Sequence, residues 1–431
     1  MARSAYTIRD ALYGSVPLSP AAYATLDTRA FQRLKHLKQV GPAYLVYPGA
    51  THTRFSHSIG VYHLAELALQ HLGARITIHP EVSRATEAAA LLHDLGHFPY
   101  SHVMDEIAFH GQHLNHARLS VELIETDPEL RQVIEEQWQV DPSLVADLVA
   151  GRANPRIPRC LYSLIDGPMD IDKLDYLNRD AHHTGVPYGR VEVQRLIDFL
   201  EVDPATEDLV ITEDGIGTVE SVIFAKYLMF RYVYWHHTAR IAGTMLNRAV
   251  LDCLLALGVE ELSLADPRIR TICLATDSTL QQTIASLLDE ASVESPSSFC
   301  LLERIEDRRL YKRAAEVPCA DAGERDARYR DSLLKRQREH DLAALAGSDV
   351  LIDVPPVAKF AADIRGIAIG EDEEVLRTVP WEEAPQASYL TGQTVAAMEQ
   401  SIRSLLYLYD PEGPAGADAA QVLARAVADD R

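Results

Sequence analysis

The sequence predicts a mainly α-helical protein with a smaller α+β lobe at its C-terminal end. Apolar residues recur at helical spacing through the first 255 positions, as in Phe31, Leu34 and Leu37, or Ile59, Val61, Leu64, Leu67 and Leu69. Strand-like runs are sparse there, Leu209–Thr212 being the clearest. The last third alternates helical segments, about 278–290 and 329–346, with β-rich runs at 350–354, 366–369 and 375–377. The expected division is a helical core over 1–255, an α+β lobe over 256–410 and a flexible tail over 411–431, entered through the Pro/Gly/Ala-rich stretch 411–418.

In chain order, Tyr13–Pro20 is a turn-rich entry that includes a short strand. Ser19 then caps a helix with Pro20 at its first position. A second helix is expected from Thr28 to Lys38, ended by Gln39–Pro42. His57 begins a third, after a Gly/Pro turn and Arg54. A central helix is expected from about Ser83, with Glu87 in its first turns, to His93. The polar loop 111–116 precedes a further helix, and 126–165 is helical with breaks at Pro128, Pro142 and Pro155. A strand and tight turn at 209–215 lead into one long helix from about Val219 to Leu255.

Bulk properties narrow the function. The 431 residues are 47% hydrophobic and 24% charged, a globular composition. Lys plus Arg is 41 against 63 Asp plus Glu, a net charge of −22, which repels polyanions. That argues against an extended nucleic-acid surface, although a basic pocket for one nucleotide, or a single strand, stays open. Five cysteines without CxxC spacing read as reduced thiols. Met1–Tyr6 lacks the apolar stretch of a signal peptide, and no run is long enough to span a bilayer. A cytoplasmic protein without a membrane partner is the expectation.

The chemistry concentrates at Ala88–His102, where a run of small and apolar residues ends in His93–Asp94 before Gly96 and Pro99. A carboxylate at the end of a buried helix is costly unless a cation compensates it. Neutral imidazole plus carboxylate suits a divalent metal, with Mn, Mg, Fe, Zn and Ni all compatible. His57 reads alone as a polar cap, but as a ligand once His93–Asp94 is present. Arg54 is a permanent cation able to fork onto phosphate. His102 and Asp105, three apart on a helix, form a pair in which the Asp fixes the imidazole tautomer, as a general acid requires. A solvent-facing pair would look the same.

One His, then His-Asp, then a distant Asp at 172 resembles the HD phosphohydrolase superfamily. Phe31–Leu34, Lys38–Gly41, Tyr47–Ala50 and Arg179–His183 extend the likeness to its deoxynucleoside-triphosphate triphosphohydrolase branch, from about Leu26 to Arg248. The resemblance implies an HD-domain helical core and four metal ligands, His57, His93, Asp94 and Asp172. It adds His116, a phosphate-contacting active-site residue, to the His102–Asp105 pair, places Lys173 and Tyr176 on phosphate, and counts His97 among the substrate-binding residues. Gln39 and Asp180 would hold the sugar 3′-hydroxyl, Val40 would close the 2′ side, and Tyr234 would stack on the sugar. A purely structural helix-end Gln39 is an equal reading of the residues alone.

Lys226 stands where the family carries a phosphate-binding Arg; with Arg231, His236 and His237 it is a candidate for the pocket wall, as an ordinary amphipathic helix would also be. Asp170 and Asp175 read as capping or orienting residues, His110 and His113 as loop residues, and His182 and His183 as structural. Asp27, Gln32 and Lys35 fall where the family binds an activating nucleotide between subunits, with Lys35 in place of Arg, or else form a solvated helix face. The implied reaction is metal-dependent release of inorganic triphosphate from a deoxynucleoside triphosphate, by a homo-oligomer, dimer or tetramer. The alternatives are another HD phosphohydrolase activity, such as a 5′-nucleotidase, phosphodiesterase or single-strand nuclease, or a non-catalytic nucleotide sensor.

Overall fold

The computed structural model describes residues 6–356, 367–370, 376–379, 390 and 392–429. Residues 1–5, Gly366, Val375 and the last two positions, for which the sequence carries expectations, lie outside these. Two hydrophobic cores organise the described residues, and the larger belongs to a mainly helical body.

The chain opens with an antiparallel hairpin, Tyr6–Asp10 with Gly14–Leu18. In the helix Pro20–Leu26, Ser19 Oγ accepts the Ala22 amide and Pro20 fills the first turn, as expected. The helix expected over Thr28–Lys38 is shorter. An α turn, Arg29–Gln32, passes into a 3₁₀ turn, Arg33–His36. The backbone then pairs elsewhere: Arg54 N donates to Leu37 O and Gln39 N to His52 O, so residues 37–39 are extended.

The helix Arg54–Leu72 is buried through most of its length and packs against the central helix Pro80–Leu92 and against Ile171–Thr184. The central helix starts three residues earlier than expected, because His79 Nδ1 accepts the Glu81 amide and Pro80 is pre-set for the first turn. The single helix expected over 219–255 is two, Ile216–Met229 and His237–Ala256. They are separated by a π-helical turn, Phe230–Tyr234, and restarted by His236 Nδ1, which accepts the Thr238 amide.

The boundary expected at 256 is displaced. Helices Pro267–Leu274, Leu280–Glu290 and Leu301–Glu306 bury Ile269, Ile272, Ile284, Leu288 and Ile305 in the large core. The lobe proper is a three-stranded antiparallel sheet with Ser404–Tyr409 between Lys312–Pro318 and Val350–Asp353, covered by helices Ser332–Ala346 and Asp418–Asp429. Its core includes Val317, Leu342, Ile352, Leu405 and Tyr407. The expected flexible tail is therefore a packed helix: Ala419, Leu423 and Val427, four apart, are buried on it. The strand at Ile367–Gly370 pairs in parallel with Leu209–Thr212 of the helical body, not with the lobe sheet.

Candidate metal centre and its cavity

Three helices bring four ligand residues together. His57 lies one turn into Arg54–Leu72, His93 and Asp94 follow Pro80–Leu92, and Asp172 is in the first turn of Ile171–Thr184. His57 Nε2 is 2.9 Å from Asp172 Oδ1 and 3.5 Å from Asp94 Oδ2. His93 Nε2 is 3.5 Å from Asp94 Oδ1 and 3.7 Å from Asp172 Oδ1. The other nitrogen of each ring is already used: His57 Nδ1 meets Asp175 Oδ2 at 2.7 Å and His93 Nδ1 meets Ala90 O at 2.9 Å. Those partners place the proton on Nδ1 and leave the Nε2 lone pairs facing the carboxylates. Both Nε2 atoms are buried and, among the described residues, have no well-aligned hydrogen bond, only the nearby carboxylates. Two orphaned imidazole nitrogens against two carboxylates fit a divalent metal ion. Burial opposes the charged form of Asp94, but Arg54, His93 and His97 outweigh it and hold this carboxyl well below the usual range.

Arg54 was expected to fork onto phosphate. It is instead 2% exposed and donates to Asp94, to Ser101 Oγ at 3.0 Å and to Gln39 O at 3.3 Å. A buried guanidinium needs fixed acceptors, and these are protein atoms. Asp170 caps its helix through the Lys173 amide at 2.7 Å and also holds the Lys173 ammonium, which donates to Gly167 O at 2.9 Å as well.

Beside the metal centre, His102, Asp105 and His116 form a second cluster. Asp105 Oδ2 is 2.7 Å from His116 Nδ1 and 3.2 Å from His102 Nδ1. Burial works against the Asp105 carboxylate, but the two imidazoles hold its pKa far below normal. The His102 side chain is 69% exposed, whereas His97 is buried, stacked on His116 at 3.7 Å, with Nε2 3.2 Å from Asp94. Burial, then Arg54 and His116, push the His97 pKa well down, so its ring stays neutral. The cluster follows two consecutive residues, Tyr100 and Ser101, with φ of 57° and 58°. Such backbone costs about 1–3 kcal/mol per residue and needs external bonds. Asp277 Oδ1 accepts the Tyr100 amide at 2.8 Å, and Ser101 Oγ donates to Lys38 O at 2.8 Å.

Both clusters open into one cavity of about 730 Å³. Gln39, Val40, Tyr176, Asp180 and Tyr234 line it, with Phe230 and Trp235. Both Asp180 oxygens are engaged at 2.6 Å, by His52 Nε2 and by the Tyr234 hydroxyl. Lys226, Arg231, His236 and His237 are not in its lining. Lys226 is buried, and burial with Lys173 nearby lowers its pKa to about 8. Asp27, Gln32 and Lys35 also stand outside the cavity. Gln32 Nε2 donates to Leu26 O, Lys35 Nζ donates to Gln32 Oε1 at 2.8 Å, and the ammonium lies over the Phe55 ring.

Several residues here carried no expectation. Arg33 donates to Leu95 O and His97 O on one side and to Cys273 O, Leu274 O and Ala275 O on the other. His113, expected as a loop residue, lines the cavity, as do Glu106, Arg240, Tyr329, Arg330 and Lys335, the last three from the C-terminal lobe. The only hint in the sequence was Arg33's place within Phe31–Leu34.

A two-His, two-Asp donor set beside a His–Asp–His cluster, in a helical body, is the arrangement of an HD-type metal-binding site. Residues 54–177 match the HD domain and residues 191–379 the HD associated region. The chain thus carries an HD domain followed by an HD associated region. An uncharacterized Bacillus subtilis protein is 36% identical over 224 residues, 52% of this chain and 50% of that protein. The chain thus spans about half the length of that relative. The deoxynucleoside triphosphate triphosphohydrolase SAMHD1 of Gallus gallus is 27% identical over 80% of this chain and 62% of its own. The crystal structure of a phosphohydrolase from Bacteroides thetaiotaomicron is 26% identical with a TM-score of 0.65, covering 94% of this chain and 99% of that one.

Proposed function

We propose that the protein hydrolyses deoxynucleoside triphosphates to a deoxynucleoside and inorganic triphosphate. The observation that carries this reading is a single cavity lined by the metal donors His93, Asp94 and Asp172, the His102–Asp105–His116 cluster and a wall of Gln39, Val40, Tyr176, Asp180 and Tyr234. The similarity to proteins named deoxynucleoside triphosphate triphosphohydrolases supports the substrate class.

When bound, a divalent metal supplies Lewis acidity at the phosphoryl centre and hydroxide at neutral pH. His57 and His93, fixed by Asp175 and by Ala90 O, present their Nε2 atoms with Asp94 and Asp172. His102 is the general acid and gives its proton to the departing 5′-oxygen. Asp105 stabilises its imidazolium, and His116 shares that carboxylate. Lys173, Tyr176 and His97 face the phosphates. Gln39 and Asp180 take the 3′-hydroxyl, Val40 occupies the 2′ side and Tyr234 stacks on the sugar. Arg54 fixes Asp94, and Lys226 adds positive field from behind Lys173.

The test is chromatography of the products from each deoxynucleotide and ribonucleotide, with Mg, Mn, Fe, Zn and Ni in turn. Triphosphate and deoxynucleoside from deoxynucleotides alone is the expected result. Release of pyrophosphate or orthophosphate overturns the reaction, and equal turnover of ribonucleotides overturns the sugar wall.

A further inference from the structure

We propose that Lys335, on the C-terminal lobe, is an anion-binding residue of the cavity and receives a phosphate group of the bound ligand. The proposal rests on the reading of that ligand as a triphosphate and adds a lobe residue to its binding site.

Among the described residues, five cations of the arginine and lysine type line the cavity: Arg54, Lys173, Arg240, Arg330 and Lys335. Four are spent on the protein itself. Arg54 donates to Asp94, and Lys173 to Asp170 and Gly167 O. Arg240 bridges Glu106 and Asp353, and Arg330 donates to Asp326 at 2.8 Å. The Lys335 ammonium has no hydrogen bond or ion pair among the described residues. A polyanion entering the cavity therefore meets four cations with protein partners, Arg330 sharing Asp326 with Arg403, and one with none among the described residues.

Lys335 is also not a surface lysine that happens to lie near. It is half-buried between exposed neighbours, Leu334 and Arg336. Its helix, Ser332–Ala346, is fastened to the segment that carries the acid cluster. Asp331 Oδ1 caps the helix through the Leu333 and Leu334 amides, and its Oδ2 accepts the His110 amide at 2.8 Å. Ser332 Oγ accepts the Ala108 amide at 3.0 Å. Ala108 and His110 belong to the hairpin between Asp105 and His116, whose two-residue turn, His110–Gly111, has φ of 49° and 77°. One turn of helix separates these anchors from Lys335, which lines the same cavity as His102 and His116. A partly desolvated, unpaired cation adds nothing to stability. Its use is to meet a charge that arrives with a ligand.

The test uses the full-length, metal-loaded protein and inorganic tripolyphosphate as probe, with binding measured by calorimetry. Lys335→Gln is expected to weaken binding about ten- to a hundred-fold, the size of one charge-assisted contact, with an unchanged melting temperature. Lys335→Arg should restore most of the loss. Equal tripolyphosphate affinity in wild type and Lys335→Gln overturns the proposal, as does a loss that Lys335→Arg fails to restore. Deoxynucleotide turnover is the separate arm: a higher KM at similar kcat in Lys335→Gln supports the assignment. A wild type that binds tripolyphosphate through Lys335 yet hydrolyses no deoxynucleotide overturns the proposed reaction and leaves the anion site standing.

Discussion

Asp175 lies behind His57, between it and Arg179, and makes no contact with the cavity. Its carboxyl is held down to about 2, because Arg179 and His57 outweigh the effect of burial. It thus stays anionic and keeps the His57 proton on Nδ1. Asp175→Asn should lower metal affinity about 10–100-fold, measured by competition with a fluorescent chelator. His102→Ala should instead keep the metal and lose about 10²–10⁴-fold in turnover; metal loss in that variant contradicts the assignment as acid. That His57, His93, Asp94 and Asp172 converge was legible from the adjacent His-Asp pair and the family resemblance, and the His102–Asp105 contact from helical spacing. Arg54 was not: whether a cation meets phosphate or a carboxylate 40 positions away depends on packing that no local pattern records.

Helix contacts set what these residues can reach. Gly60 is where Arg54–Leu72 meets Ile171–Thr184, and a Cβ there would overlap Asp175 Oδ1 and Arg179 Nη2. Gly60→Ala should cost about 1–3 kcal/mol in chemical denaturation and weaken metal binding with it. On the central helix, burial and then Glu66 raise the Glu87 carboxyl to about 7. An acid raised in the folded state favours folding when protonated. Its contribution is complete below its unfolded value and is lost as pH rises through 7. Glu87→Gln should therefore stabilise the protein at pH 8 by at most about 3 kcal/mol relative to wild type, with little difference near pH 4.5. Helix existence was readable from apolar spacing. Helix ends were not, where the 28–38 segment gave its backbone to residues 52–54 or where a π-helical turn divided 216–256.

At the scale of the molecule, buried ion pairs tie the lobe to the helical body along His237–Ala256. Arg240 joins Glu106 to Asp353, and Arg248 meets Glu339. Arg240→Met leaves two partly buried carboxylates unpaired and should destabilise by about 3–5 kcal/mol, read from the denaturation midpoint. The sequence separates helix-rich from strand-rich composition, but not which core an amphipathic helix joins. That is why 267–306 was placed with the lobe and 418–429 with a tail.

The bonds that Arg33 and Asp277 make also order events in time. The loop at 95–101 leaves the ribosome well before residues 273–277, yet Arg33 finds three of its carbonyl acceptors, and the Tyr100 amide its carboxylate, only in that later segment. Until then the left-handed backbone at Tyr100 and Ser101 lacks the bond from Asp277 that supports it. The backbone that carries the acid cluster is thus supported by a carboxylate 177 residues further along the chain.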